Sequence, residues 1–244
     1  MTNHKIRESA GDRIFSAVNL LLVTAFFLLV AYPLYFVVIA SFSDMDFVST
    51  GQVFLFPRGF NIEGYRRVFA ESSVMRGYRN TIFYTTVGTC FNLFLTLPAA
   101  YALSKKSLPG RGLLMGVFLF TMYFGGGMIP TFLLIKNLGL YDTWWVLIVT
   151  SGVSCYNLII ARTFFSTGVP QELEEAATID GCTRLRLFVS IVLPLSKAMI
   201  AVLALYYGIG HWNSWFSGMI YLSSREKAPL QLVLRDILIE NQQM

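Results

Sequence analysis

Long apolar runs alternate with short charged segments along this chain of 244 residues. Five of these runs contain no Asp, Glu, Lys or Arg, and they cover residues 14–42, 81–104, 112–135, 143–161 and 198–224. A hydrocarbon core about 30 Å thick is crossed by about 20 helical residues, and each run is near or above that length. The pattern therefore predicts an all-α, polytopic integral membrane helical bundle with five spans.

Composition agrees with a membrane protein. Hydrophobic residues make up 55% of the chain, charged residues only 14%, and the mean hydropathy is +0.58. Water-soluble domains carry about 25% charged residues, and disordered chains combine low hydrophobicity with high net charge, so both classes are excluded. The net charge of +5 comes from clusters between apolar runs and forms no basic stripe, so no nucleic-acid partner is expected.

Short basic clusters predict the orientation in the membrane, because Lys and Arg concentrate in cytoplasmic loops. Such clusters precede the first run and separate the second from the third: Lys5, Arg7, Arg13; Lys105, Lys106, Arg111. We expect residues 1–13 to be a cytoplasmic tail, 14–42 the first membrane span, 43–80 an extracytoplasmic loop and 81–244 the core. The arginines within residues 43–80 oppose this orientation, but long loops translocate with less regard to charge.

Part of the extracytoplasmic loop has helical periodicity. Apolar side chains recur at helical spacing with charged residues between them, at Ile62, Tyr65, Val68 and Phe69. This pattern predicts one or two interfacial helices that lead into the second span.

Residues able to carry out catalysis are scarce. The chain has two histidines, His4 in the tail and His211 in the fifth run, and no apolar run contains a carboxylate. The three cysteines share no metal-ligand spacing, and no phosphate-binding P-loop motif is present. Gly125, Gly126 and Gly127 have no strand before them and are interpreted as a break in a membrane helix. The sequence therefore predicts no catalytic residue, no metal site and no cofactor in this chain.

The link between the fourth and fifth runs predicts a short helix. Pro170 suits its first turn, the acidic residues that follow complement the positive end of its dipole, and Gly181 suits its end. One face carries, at helical spacing, Leu173, Ala176, Ala177 and Asp180. Its two alanines make this face thin enough to sit deep in another protein's groove.

The same segment carries a motif with fixed spacing. It is met at Glu175, Ala176, Ala177, Gly181, Ile191, Leu193 and Pro194. This spacing resembles the EAA loop of permease subunits of binding-protein-dependent ABC importers, and places a cytoplasmic EAA coupling loop at residues 166–195.

Further motifs narrow the resemblance to the maltose-type carbohydrate permeases. They include Tyr32–Pro33, the stretch 99–104 that closes the second run, and Met128, Ile129 and Pro130 in the third. The stretches 125–131 and 211–216 are most similar to the branch that handles oligosaccharides, including those that contain uronates. Permeases of this branch usually have six spans, whereas five runs are visible here.

The resemblance implies a transport subunit and not an enzyme. In such importers two homologous permeases form the path, two ATPase subunits that bind ATP and Mg dock on the cytoplasmic side, and a solute-binding protein delivers the carbohydrate. It implies a multi-pass protein of the bacterial inner membrane, with the N-terminus in the cytoplasm. Glu175, Ala176, Ala177 and Gly181 are the implied ATPase-coupling residues, Glu175 through a charge-assisted bond to an ATPase arginine.

Candidates for the solute path come from the fifth and fourth runs. Sugar recognition combines aromatic faces with hydrogen-bonding side chains that are held away from lipid. Tyr207, His211 and Asn213 in the fifth run and Asn157 in the fourth meet this description. The alternative is that these aromatic and polar residues are interfacial anchors or pack helices together.

Two other functions fit parts of the sequence. The EAA loop serves the wider importer group, so the cargo of this permease can equally be a solute other than a sugar, such as a peptide or polyamine. A third hypothesis is a membrane enzyme that uses His211. Hydrolysis of a substrate by the purified protein, without an ATPase partner, would favour this hypothesis.

Overall fold

A computed structural model describes residues 9–242, and it is helical with no strand in that range. The tail residues Lys5 and Arg7, and His4, lie outside the described residues. Two compact units divide the chain, with the boundary after Glu71. Each unit is described by itself.

The first unit begins with a long apolar helix, α1 (Ala10–Ser41). Ser9 caps it, because its side chain accepts hydrogen bonds from Gly11 and Asp12 while Asp12 accepts one from the amide of Ser9. Two short helices follow, α2 (Met45–Ser49) and α3 (Glu63–Ala70). The helix α3 agrees with the periodicity of the loop.

The loop of the first unit folds back on α1. The hydroxyl of Tyr32 donates to the carbonyl of Phe54 at 3.3 Å, and that of Tyr35 donates to the carbonyl of Leu55 at 2.5 Å. Phe42 stacks on Tyr65 with ring centroids 5.2 Å apart. Hydrogen bonds and aromatic contacts therefore order the segment between α2 and α3.

The second unit is built on α4 (Ser72–Ser104), which begins at Ser72 and not at residue 81 as the apolar run suggested. Two polar residues at the boundary between these extra turns and the apolar run hydrogen-bond to the backbone of residues 226–230. The side chain of Asn80 donates to the carbonyls of Glu226 and Ala228 at 2.7 and 2.9 Å, and Thr81 accepts from the amide of Leu230 at 2.8 Å. Polar residues at this end of α4 pair with a distant backbone segment, which a hydropathy pattern does not reveal.

The third apolar run forms two helices, α5 (Arg111–Tyr123) and α6 (Met128–Asn137), bent by 113°. The bend lies at Gly125, Gly126 and Gly127, and Gly127 has a φ of +86° that favours glycine. The interpretation of these glycines as a helix break is confirmed.

The fourth run is not one helix. It forms α7 (Val146–Val149), a non-helical segment at residues 150–154, and α8 (Cys155–Thr167). A sharp bend of 82° also separates Arg184–Leu195 from α12 (Lys197–Trp212). Within residues 9–242, two helices, α1 and α4, are long and apolar enough to cross a membrane alone, and counting each bent pair as one span raises the number to four. The five apolar runs therefore do not form five continuous helices, and the number of membrane spans stays a prediction.

The remaining helices connect these elements. They are α9 (Gln171–Ile179), α10 (Arg184–Leu187), which continues through a π-helical turn (Phe188–Val192) into α11 (Leu193–Leu195), α13 (Trp215–Tyr221), a short 3-10 helix (Arg225–Lys227) and α14 (Leu230–Gln242). The main core joins α4, α8, α9 and α12 through Leu97, Ala100, Leu158, Ala161, Ala177 and Leu203. This core holds the end of α4 and the short helix α9 in one body.

Candidate functional site

The non-helical segment at residues 150–154, between α7 and α8, is called the break. An open cavity of about 540 Å³ lies beside it. Its wall is formed by residues of the break, the start of α8 and the second half of α12: Ser151, Val153, Ser154, Tyr156, Asn157, Tyr206, Tyr207, Gly210 and His211. The rings of Tyr156 and Tyr206 lie with centroids 6.5 Å apart. The cavity thus combines aromatic faces with hydroxyl and amide groups.

Three of the four residues predicted for the solute path line this cavity, namely Tyr207, His211 and Asn157. Asn213 is not among the lining residues. It ends α12, is exposed, and its side-chain amide donates to the carbonyl of Ile209 at 2.9 Å. A role of Asn213 in the path stays a prediction, and the structure brings only the other three together.

A buried polar network lies behind the cavity. Asn92 of α4 is fully buried and donates from its amide to the carbonyls of Ser151 and Gly152, at 2.5 and 2.9 Å. Its Oδ1 lies 2.6 Å from Nε2 of His211, which is also buried. Asn92 was not among the predicted residues, although a lone amide inside an apolar run is a signal that it pairs within the protein.

A second buried polar contact, between Tyr207 and Thr96, lies at the other end of the break. The hydroxyls of Tyr207 and Thr96 lie 2.7 Å apart, and the amide of Ser154 donates to the Tyr207 hydroxyl at 3.2 Å. Thr96 is fully buried on α4. Tyr207 therefore lines the cavity and also binds the backbone that forms its wall.

The segment 166–195 contains the helix expected there. Pro170 precedes α9, and Gly181 follows it with a φ of +75°, a left-handed conformation that suits glycine. The amide of Cys182 donates to the carbonyl of Ala177 at 2.9 Å and closes the helix end. The residue types at both ends of α9 thus match the conformations that the chain adopts.

The two alanines of this helix point in different directions. Ala177 is buried in the core of its own unit, while Ala176 and Glu175 are exposed. Ile179 is 85% exposed, the highest value among the exposed large apolar side chains of residues 9–242. Of the predicted face, Leu173, Ala176 and Asp180 are exposed and only Ala177 is buried. The outward surface also includes Ile179, which was not among the predicted residues.

An ion pair connects α9 with the end of α4. Lys105 binds the carboxylate of Glu174, and the ammonium also lies 4.3 Å from the centre of the Tyr101 ring. The Tyr101 hydroxyl donates to the same carboxylate at 3.5 Å. Both charged side chains are partly buried, so this contact fixes α9 against α4.

At the opposite end of the unit, Asp142 joins the loop before α7 to residues 223–227. Its φ is 55°. Its carboxylate accepts hydrogen bonds from the hydroxyl of Ser224 at 2.5 Å and from the amides of Ser223 and Ser224, and it pairs with Lys227 at 3.3 Å. The Ser224 hydroxyl, with these amides and Lys227, lowers the pKa of Asp142 from 3.8 to about 2. The residue is therefore ionised at neutral pH.

No metal centre is assembled in the described part of the chain. Among residues 9–242, no three His, Cys, Asp or Glu side chains lie close enough together to hold an ion.

Comparison with known protein families gives a match over most of the second unit. Residues 72–224 match the family described as binding-protein-dependent transport system inner membrane component. The matched region contains the cavity, the break and the α9 segment.

Curated relatives match over nearly the whole chain. Protein LplC of Bacillus subtilis is 39% identical over 236 residues, which is 97% of this chain and 80% of LplC. The polygalacturonan/rhamnogalacturonan transport system permease protein YtcP of the same species is 39% identical over 228 residues, 93% of this chain and 79% of YtcP.

A solved structure has the same fold. It is a bacterial ABC transporter involved in the import of the acidic polysaccharide alginate, and the match has a TM-score of 0.92 and 35% identity. The match covers 97% of this chain and 84% of that one.

Proposed function

The chain belongs to the family of binding-protein-dependent transport system inner membrane components, and we propose that it is the permease subunit of an ATP-driven importer of oligosaccharides. YtcP is named for polygalacturonan and rhamnogalacturonan, and the solved importer for the acidic polysaccharide alginate, whereas less similar relatives are named for diacetylchitobiose, arabinooligosaccharides and maltodextrin. Of these, the matches with the higher identity thus favour acidic sugars. Oligosaccharides that contain uronate residues are therefore the substrate class that we assign to this transporter.

The observation that carries the proposal is the composition of the cavity beside the break. A sugar ring offers apolar C–H faces and a rim of hydroxyls, which aromatic side chains and hydrogen-bonding groups recognise together. Tyr156 and Tyr206 supply the aromatic surfaces, and Asn157 and Ser154 supply polar groups at the same wall. Tyr207 and His211 complete the wall; Tyr207 binds the amide of Ser154, and His211 binds Asn92 behind it.

The transporter works with partners. We assign to it a second, homologous permease, two ATPase subunits that bind ATP and Mg, and an extracytoplasmic solute-binding protein that delivers the sugar. The assembly lies in the bacterial inner membrane, and the N-terminus of this chain is cytoplasmic.

Coupling to ATP hydrolysis passes through α9. An ATPase subunit that contacts the exposed side of α9 moves this helix, and its fixed contacts transfer the movement to the bundle. Ala177 packs into the core, and Glu174 is bound to Lys105 and Tyr101 at the end of α4. Ala176, Glu175 and Ile179 provide the outward surface, and Gly181 sets the turn that follows.

The proposal is tested by transport in proteoliposomes that hold this chain with its co-purified partners. Oligogalacturonates, oligoalginates and neutral maltodextrins of equal length are offered with the binding protein, with and without ATP. We expect ATP-dependent uptake of at least one acidic oligosaccharide in preference to the maltodextrin.

Other outcomes would contradict the proposal. Uptake of a peptide or polyamine but of no oligosaccharide would assign the permease to another solute. Hydrolysis of a substrate by this chain without an ATPase subunit would assign it to an enzyme class.

A further inference from the structure

The break at residues 150–154 leaves backbone groups without helical partners. In a membrane protein such groups are costly unless the protein itself supplies hydrogen-bonding partners. Asn92 supplies two of them, to the carbonyls of Ser151 and Gly152. The conformation of the break is therefore held from α4 by one buried amide.

The orientation of Asn92 is fixed by these acceptors. Because its nitrogen faces two carbonyls, its oxygen must face His211, and an amide oxygen can only accept a hydrogen bond. The 2.6 Å contact thus assigns a proton to Nε2 of His211. His211 is the donor that keeps the Asn92 amide turned towards the break.

We infer that His211 is a positioning residue, which acts through Asn92 to set the cavity wall formed by Ser151, Val153 and Ser154. This inference rests on the proposed function of the cavity as part of the solute path. It gives His211 a role through the backbone of the break, and it adds Asn92 to the residues on which solute recognition depends.

The test compares two substitutions of His211 in the assembled transporter. His211→Gln keeps an N–H donor near the position of Nε2, whereas His211→Leu removes the donor and leaves the Asn92 oxygen unpaired. We expect His211→Leu to raise the apparent KM for the oligosaccharide about tenfold, the value of one buried hydrogen bond, and His211→Gln to stay within about twofold of the parent.

A second readout reports on the wall itself and needs no transport. Val153→Cys is introduced after the native Cys90, Cys155 and Cys182 are replaced, and its rate of reaction with a thiol reagent is measured. We expect His211→Leu to change this rate about tenfold and His211→Gln to leave it near the parent rate. Absent uptake of every oligosaccharide by the parent would refute the proposed function, while the labelling rates would still test the positioning role.

Two further variants keep the test decisive. His211→Leu with Asn92→Leu removes both polar partners, so it avoids an unpaired buried amide while still releasing the break, and it should show the altered labelling rate. Thr86→Val removes a hydroxyl on α4 that bonds only within its own helix, and should change neither readout. The inference is overturned if His211→Gln is as defective in uptake as His211→Leu, or if the double variant labels at the parent rate.

Discussion

Gly88 of α4 lies directly against the imidazole of His211 of α12. A Cβ atom at position 88 would stand 2.4 Å from Nε2 and 2.5 Å from Cε1 of that ring. These distances are far below van der Waals contact, so α4 and α12 pack around this histidine only because residue 88 has no side chain. The ring cannot shift without losing its hydrogen bond to Asn92.

Gly88→Ala should therefore destabilise the protein. We expect a loss of about 1–3 kcal/mol in the free energy of unfolding, as for other overpacked sites, seen as a lower melting temperature in detergent. Gly116→Ala on α5 is the matched control, because a Cβ there meets nothing within 4 Å. Equal melting temperatures for the two variants would show that the helices can separate at Gly88 without penalty.

Ile179→Asp should weaken attachment of the ATPase subunits. The side chain is 85% exposed on α9, so its replacement leaves the fold of this chain intact while it removes apolar surface from the proposed interface. We expect about a tenfold weaker affinity, measured by titrating ATPase subunits onto the permease in nanodiscs.

Ala177→Trp provides the contrast. Ala177 is buried within its own unit, so the bulky side chain should lower the melting temperature of the isolated permease. Unaltered ATPase affinity of Ile179→Asp would remove Ile179 from the interface.

The pair of Lys105 and Glu174 should matter for coupling. Lys105→Glu places two carboxylates together and is expected to loosen α9, which lowers the solute imported per ATP hydrolysed. The swap Lys105→Glu with Glu174→Lys should recover part of this ratio. A partly buried ion pair contributes about 1 kcal/mol whichever of the two positions carries the positive charge. Glu172→Gln, in the exposed first turn of α9, serves as control. Failure of the swap to improve on the single variant would assign the defect to something other than this pair.

Acid should abolish the contribution of Asp142. Its pKa is lowered from 3.8 to about 2, so the stabilisation is complete above pH 3.8 and disappears as the pH falls through 2. Asp142→Asn tolerates the left-handed backbone and is the suitable comparison. We expect it to melt at a lower temperature than the parent at pH 7, with the difference shrinking between pH 3.8 and 2. A difference that persists unchanged at pH 2 would exclude ionisation of Asp142 as its origin.

Labelling in intact cells tests the orientation. In a background without native cysteine, Ser72→Cys should react with a membrane-impermeant reagent from outside, and Ser107→Cys and Thr178→Cys should not. The basic cluster before the first apolar run, the cluster after the second run at residues 105–111, and the resemblance of residues 166–195 to a cytoplasmic EAA loop are the reasons for this expectation. Strong labelling at position 178 from outside would reverse the topology and would place α9 away from any cytoplasmic ATPase.

Local signals predicted the parts of the fold that depend on local chemistry. Pro170 and Gly181 marked the ends of α9 to within two residues, and three glycines marked the bend between α5 and α6. The break at residues 150–154 was missed because its partners are distant: Asn92 lies 59 residues before Ser151, and Tyr207 lies 53 residues after Ser154. Hydropathy reports the solvent around a segment and not the residue that satisfies its backbone.

Residue type and helical spacing also explain which of the site residues could be predicted. Tyr207 and His211 were found because both are polar or aromatic in one apolar run. Ala177 was assigned to an outward face, since helical spacing alone does not tell which side of an isolated helix meets the core of its own chain. The charge pair of Lys105 with Glu174 joins segments 69 residues apart and has no sequence signature.

The break between α7 and α8 also constrains the order in which the protein matures. Asn92 is synthesised before the break, but the hydroxyl that receives the Ser154 amide and the imidazole that orients Asn92 belong to α12. The fourth apolar run is therefore made before residue 207, whose hydroxyl receives the Ser154 amide, and before residue 211, which orients Asn92 towards the carbonyls of the break. Its native shape is a late event of membrane insertion, completed when α12 arrives beside α4.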